Sequence, residues 1–240
     1  MAATGGNRTV AWPVRNSGYD RPFSSGGGFV PVIRRLAALS SLPLASLLAA
    51  ACLTPPAAMA HPHVWVDYTV TGLFSGRSLT ALREEWLFDQ DFSATLLHDI
   101  LGEKTSDRHA KAAFTAAEIR DLHDKAFENL KDYHYFHHVW IDGRAMAGGH
   151  VRDFTARRSG DRLVYAFTYD LARPVDPAKD KVEIGIWDDS YYVDVGPVEH
   201  RVAATLEQPP TPACRIGIAP DKGRPIYFGS VFPPTIRIAC

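Results

Sequence analysis

The stretch that decides the fold is residues 64–74, Val-Trp-Val-Asp-Tyr-Thr-Val-Thr-Gly-Leu-Phe, in which two kinds of side chain alternate. Successive side chains of a β-strand point to opposite faces of the sheet. The alternation therefore predicts a half-buried strand. One face holds Val64, Val66, Tyr68 and Val70, and the other holds Trp65, Asp67 and Thr69. Turn-like residues 75–78 follow, and 79–88 are expected to form the second strand of a hairpin.

The segment after this hairpin predicts two short helices. Asp89-Gln90-Asp91 precedes apolar residues at helical spacing, and such an acidic start suits the helix dipole. Thr115-Ala116-Ala117-Glu118 fits a capping box, which marks the start of a helix. We expect this second helix to run to about Lys131.

The rest of the chain is rich in strand-forming residues. Aromatic and β-branched side chains predict a strand over 133–142. Further strands are predicted at 151–158, 162–171, 181–187, 191–195, 214–218 and 235–240. This order of strands, two helices and more strands indicates an α+β fold with a mostly antiparallel β-sheet. The sequence has no Gly-rich phosphate loop, nucleophile elbow or Cys-x-x-Cys motif.

Residues 1–60 are typical of a signal peptide with a leader. A pair of arginines, Arg34 and Arg35, precedes the apolar run 36–53, and Ala58-Met59-Ala60 has the small-x-small pattern of a cleavage site. A transmembrane anchor is the alternative, and the cleavage pattern so close to the apolar run disfavours it. We expect cleavage after Ala60 and a periplasmic protein of one α+β domain, residues 61–240, without stable membrane insertion.

The composition of residues 61–240 excludes one class of partner and predicts a disulfide. The leader holds five of the 26 basic and one of the 27 acidic residues, so 61–240 carry 21 and 26, a net charge of −5 with neutral histidines. This balance gives no basic patch for nucleic acid. Of three cysteines, Cys52 leaves with the leader, and Cys214 and Cys240 are expected to pair in an exported protein. A thiolate metal site would need further ligands near them.

The new amino terminus, His61-Pro62-His63, suits a transition metal. An N-terminal histidine carries its ring and its free α-amine on one residue, and His63 lies on the same side of an extended strand. Pro62 excludes the square-planar site that requires a deprotonated amide at position two. His61 and His63 are therefore predicted to bind zinc, nickel, cobalt or copper. The alternative is a terminus that is rich in histidine and simply exposed.

A second histidine cluster, 133–138, reads Tyr-His-Tyr-Phe-His-His. On the predicted strand, His134 and His138 share a face and are candidate metal ligands, while His137 points away. A sheet or surface role is the alternative. Residues 138–142 also echo 63–67, with one conservative change. Asp67 and Asp89 are candidate carboxylate ligands, although most such residues are helix caps or turn formers.

Residues 60–67, Ala-His-Pro-His-Val-Trp-Val-Asp, resemble the opening of an uncharacterised family of bacterial periplasmic proteins. Its members are often labelled as periplasmic components of an ABC-type transport system and are frequently encoded beside nickel/cobalt-type permeases. The segment 86–94 is similar to another family stretch, and the resemblance covers most of residues 61–240. It implies an exported accessory of transition-metal transport. Residues 102–113 lack the ligand pattern of the family's calcium-loop-like stretch, so calcium is not implied.

These observations favour a non-enzymatic accessory protein of zinc, nickel or cobalt transport, working with an inner-membrane metal permease or ABC-type transporter. A different class is the alternative, a copper-dependent oxidase-like enzyme that uses an N-terminal histidine brace. A two-lobed solute-binding protein is disfavoured, because 180 residues without βαβ alternation are poor material for two lobes.

Overall fold

The fold is described from a computed structural model, which describes residues 63–103 and 113–240. The predicted leader, residues 1–60, and His61 lie outside the described residues. The strands are β1 Val64–Ser75, β2 Ser78–Phe88, β3 His137–Ile141, β4 Arg144–Ala145, β5 His150–Ser159, β6 Arg162–Val175, β7 Val182–Ile186, β8 Val193–Pro197, β9 Ala204–Glu207, β10 Arg215–Pro220 and β11 Pro234–Ala239. The helices are α1 Gln90–Leu101 and α2 Ala116–Lys125, with 3-10 helices at Phe127–Phe136 and Tyr227–Gly229.

The first sheet is built around β1. Its strand order is β5-β6-β2-β1-β8, and β9 also pairs with β1. The β1–β2 hairpin is antiparallel, as predicted, whereas β8 and β9 run parallel to β1 along its other edge. Val64, Val66, Tyr68 and Val70 are all buried, so the predicted alternation of β1 is confirmed.

The second sheet has the order β10-β11-β7-β3-β4 and is antiparallel throughout. Every residue of its central strand β7 is buried. The inner faces of both sheets contribute to one hydrophobic core, which includes Trp86, Phe167, Ile184 and Ile236. The expected α+β fold with mostly antiparallel sheet is therefore confirmed.

The helix starts follow the sequence, but the second helix is shorter than predicted. Asp89 caps α1, and the capping box of Thr115 and Glu118 is present at the start of α2. The α2 helix ends at Lys125 and not near Lys131. A 3-10 helix follows it, and Phe127 at the start of that helix is buried in the core.

The strand predicted for 133–142 begins only at His137, so this prediction was wrong in its first half. His134, Tyr135 and Phe136 have φ values of 54°, 51° and 61°, which lie in the left-handed region and not in a strand. The aromatic side chains of Tyr135 and Phe136 are buried by this kink. His134 and His138 consequently do not share a strand face.

The predicted disulfide is confirmed, since Cys214 and Cys240 are bonded to each other. It joins the start of β10 to the end of the chain, and the Cys240 amide donates to the carbonyl of Pro177. Within residues 63–103 and 113–240, no helix is both long and apolar enough to cross a membrane.

Removing the disulfide is expected to lower the free energy of unfolding by about 3 kcal/mol, because the unfolded chain regains the entropy of a closed loop. The Cys214→Ser/Cys240→Ser variant and the oxidised parent would be compared by denaturant unfolding. Reduction of the parent should give the same loss as the double substitution. Two free thiols in the native, non-reduced protein would contradict the assignment.

Candidate functional site

The motif residues 63–67 lie at the start of β1, where β8 runs parallel beside it. Trp65 is paired with Asp194, and Asp67 with Gly196. Paired residues of neighbouring strands project to the same face of a sheet. The side chain of Trp65 is 49% exposed, so this face is turned toward solvent and carries Asp194 with it.

His63 is held against the loop that precedes β8. Its amide donates to the carbonyl of Tyr192 at 2.9 Å, and the two rings lie 4.8 Å apart. His63 itself is exposed, and Tyr192 is 49% exposed. The backbone hydrogen bond therefore fixes where the chain enters β1 and leaves the ring at the surface.

Two carboxylates share the outer face next to His63. Arg162 donates to Asp67 at 2.9 Å, and the Tyr191 hydroxyl donates to Asp194 at 3.1 Å. Burial raises the pKa of Asp194, the Tyr191 hydrogen bond opposes that rise, and the charge of Asp67 adds to it. The negative charge of Asp67 thus disfavours ionisation of Asp194, even though Arg162 pairs with Asp67.

Asp89 clamps the start of α1 to the start of β1. Its two carboxylate oxygens accept from the amides of Phe92, at 2.8 Å, and Trp65, at 3.0 Å. Its own amide donates to the Trp65 carbonyl at 2.9 Å. Asp188 acts similarly in the loop before β8, where it accepts from the amides of Tyr192 and Val193. Both aspartates shape the backbone around His63.

The histidines of the second cluster are separated by the kink. His134 is exposed, whereas His138 lies on β3 with its ring stacked 4.5 Å from that of Trp187. The Nε2 atom of His138 donates to the Trp187 carbonyl at 3.0 Å, and burial lowers the pKa of His138. The structure therefore assigns His138 to ring packing on the second sheet. No three His, Cys, Asp or Glu side chains in residues 63–103 and 113–240 are grouped to hold a metal ion.

The echo between 63–67 and 138–142 reflects two strands built alike. Each buries its two aliphatic residues and turns its tryptophan outward, Trp65 in one strand and Trp140 in the other. The aspartates then differ in role. Asp67 pairs with Arg162, while Asp142 accepts from the Lys181 amide.

The sequence interpretation missed a buried polar contact between the sheets. His137 of β3 and Glu84 of β2 have side chains with 0% exposure, and their Nε2 and Oε1 atoms are 2.6 Å apart. The other Glu84 oxygen accepts from Trp86 at 2.8 Å. The His137 ring stacks on that of Tyr169, with centroids 3.8 Å apart. The sequence carried a signal only for the burial of Glu84, because Glu84 shares the inward face of β2 with Trp86.

Three consecutive residues in the left-handed region precede this contact. For residues other than glycine, that conformation costs roughly 1–2 kcal/mol each. The carbonyl of the second one, Tyr135, meets Nδ1 of His137 at 2.7 Å. The strained backbone is therefore held in place by the same histidine that it delivers into the core.

Asp89→Ala is expected to lower the free energy of unfolding by about 1–2 kcal/mol, because it removes an N-cap and a bond to the Trp65 amide. Asp89→Asn should keep the cap bond to the Phe92 amide but lose the bond to the Trp65 amide, because its side-chain nitrogen only donates, so its loss should be smaller than that of Asp89→Ala. Asp91→Ala, in the exposed first turn of the same helix, is the matched control and should cost only a few tenths of a kcal/mol. Equal losses for Asp89→Ala and Asp91→Ala in urea unfolding would contradict the clamp.

The chain is similar in sequence to proteins of unknown function. Residues 46–226 match the model of the family described as "Protein of unknown function (DUF1007)". A protein of Haemophilus influenzae, described as "Uncharacterized protein", is 26% identical over 137 residues. That match spans 56% of this chain and 62% of the relative. Because the family model covers well over half of the sequence, the chain belongs to the DUF1007 family.

Proposed function

We propose that this protein is an exported accessory of transition-metal transport that binds its metal through His61 and His63. The observation that carries the proposal is the position of His63. It stands exposed at the end of the first sheet, beside the face that carries the carboxylates of Asp67 and Asp194. Nitrogen ligands near carboxylates suit a divalent cation of the zinc, nickel, cobalt or copper type.

The proposed ligands are the α-amine and ring of His61 and the ring of His63, with Asp67, four residues further along β1, as the carboxylate candidate. The described residues alone do not group three such ligands, so the proposal requires His61. Asp89 is left out, because both its oxygens already accept backbone amides. His134 and His138 are also left out, because the kink separates one from the strand and ring packing engages the other.

The proposed compartment and the proposed partner are supported by different observations. A signal-like leader, a pair of bonded cysteines and a net charge of −5 in residues 61–240 suit an exported protein that handles cations. The resemblance of residues 60–67 to metal-transport-linked proteins suggests an inner-membrane metal permease or ABC-type transporter as partner. The proposed role is delivery or capture of metal, and not catalysis.

The metal site is tested with a protein that begins at His61. Adding one alanine before His61 moves the amine off the chelating residue and keeps both rings, and His63→Ala removes one ring. Each change is expected to weaken metal binding by about tenfold or more. Losing a ligand should cost at least as much affinity as losing a residue that only orients a ligand by a hydrogen bond. His134→Ala, an exposed histidine in the kink, is the matched control and should bind as the parent does. Titration calorimetry with zinc, nickel, cobalt and copper gives the affinities.

Binding should also weaken as the pH falls below about 6, because imidazole binds metal only in its neutral form and ordinary histidine titrates near 6.5. Normal affinity in both the extended protein and His63→Ala would contradict the proposed site. Exclusive copper binding with oxygen consumption in the presence of a reductant would favour the oxidase-like alternative.

A further inference from the structure

The hydrogen-bond geometry of the buried contact between Glu84 and His137 requires that the two side chains share one proton. The Nδ1 atom of His137 faces the carbonyl of Tyr135, and a carbonyl oxygen only accepts, so Nδ1 carries a hydrogen. The 2.6 Å contact from Nε2 to Glu84 then needs a second hydrogen, which sits on either the ring or the carboxyl group. In both arrangements the pair is neutral overall.

The side chains next to the pair do not supply a different hydrogen for this contact. Tyr169 of β6 stacks on His137, and burial together with the charge of Glu84 raises the pKa of Tyr169 to about 12. Burial and the same charge raise the pKa of Tyr68 on β1, whose hydroxyl has no hydrogen-bond partner in the described part of the chain. Within residues 63–103 and 113–240, Glu84 has side-chain hydrogen bonds only with His137 and Trp86. Trp86 does not titrate, and both tyrosines stay protonated at neutral pH.

The neighbours of His137 on its own segment are engaged elsewhere. His138 bonds to the Trp187 carbonyl on the opposite face of the strand, and His134 is exposed at the start of the kink. The Tyr135 hydroxyl donates to Glu128, and the charge of that glutamate lies on the 3-10 helix. None of these groups contacts the Glu84 carboxylate, so the number of protons that Glu84 and His137 hold does not depend on them.

We propose that the proton shared by Glu84 and His137 is a pH-sensitive lock between the two sheets. With one proton, both partners are satisfied in the core. Removing it leaves a buried carboxylate against the lone pair of a neutral ring, and adding another leaves an unbalanced buried cation. Burying such a charge is strongly unfavourable. Either change releases β3 from β2 and the left-handed residues 134–136 with it.

The sign of the pH dependence follows from the protons held in each state. In an unfolded chain, glutamate loses its proton near pH 4.3 and histidine near pH 6.5, as average values. Above about 6.5 the folded pair holds one proton more than the unfolded chain, so its contribution to stability falls as pH rises. Below about 4.3 it holds one fewer, so its contribution falls as pH drops. Between these values the contribution is constant.

A backbone hydrogen bond connects the lock to a loop outside the core. The carbonyl of Phe136, the last left-handed residue, accepts from the Trp187 amide at 2.9 Å. Trp187 begins the loop that leads into β8 and carries Tyr192. Opening of the lock is therefore expected to expose the Trp187 amide to hydrogen exchange first.

Glu84→Gln tests the proposal because glutamine restores every hydrogen bond without the proton. Its amide donates to a neutral His137, and its oxygen accepts from Trp86. The ratio of the unfolding constants of parent and variant should rise about tenfold per pH unit, hence about a hundredfold between pH 5.5 and 7.5. Glu85→Gln changes the next residue on β2, whose side chain is partly exposed and bonded to Arg157, and is the matched control. Its ratio should stay within about threefold over that range.

A flat ratio for Glu84→Gln would overturn the proposal. If that variant does not fold, nitrogen NMR of the His137 ring in the parent decides the question. The lock predicts that the ring shows no titration step between pH 5.5 and 7.5 and that Nδ1 stays protonated. A one-proton step in that range would overturn it. Neither outcome depends on metal binding at His61 and His63, so the two proposals fail separately.

Discussion

The structure depends on a carboxylate buried between its two sheets. Glu84 lies on the inward face of β2, where an unpaired charge would be strongly destabilising. The Trp86 indole of the same strand donates to one of its oxygens, and His137 of the second sheet shares a proton with the other. To deliver His137, the chain before β3 turns through three residues in the left-handed region. The kink in turn presents the Phe136 carbonyl to Trp187.

The consequences of that contact extend to the proposed metal site. Trp187 opens the loop before β8, and Asp188 holds this loop closed through the amides of Tyr192 and Val193. The loop then receives His63 through the Tyr192 carbonyl. A chain of short backbone contacts thus links the centre of the core to the edge where β1 begins. The backbone of the exposed histidine is thus held by a hydrogen bond to this loop.

Local patterns predicted the parts of the fold that depend on neighbouring residues. Alternation found β1 and β2, and the capping box at Thr115 found the start of α2. The kink at 134–136 was missed, because aromatic residues suit strands and a left-handed turn without glycine leaves no mark in the sequence. The parallel pairing of β8 and β9 with β1 was also out of reach, since it depends on contacts between distant segments.

The candidate site was predictable in part for the same reason. The motif His63–Asp67 was recognised from its strand spacing, from the predicted cleavage site before it and from the resemblance of residues 60–67 to a family opening, and capping was the alternative role for Asp89. The contact between Glu84 and His137 joins residues 53 positions apart, so no local pattern contains it. Asp194 entered the site only through the register of β8 against β1. Both of these contacts depend on the pairing of distant segments, which local spacing does not predict.

X-ray absorption spectroscopy of the metal-loaded protein beginning at His61 tests the central claim of metal binding most directly. The account predicts a first shell of nitrogen and oxygen at about 2.0–2.2 Å for zinc, with the outer-shell pattern of two imidazole rings. A shell without imidazole scattering, or one with sulfur at about 2.3 Å, would contradict it.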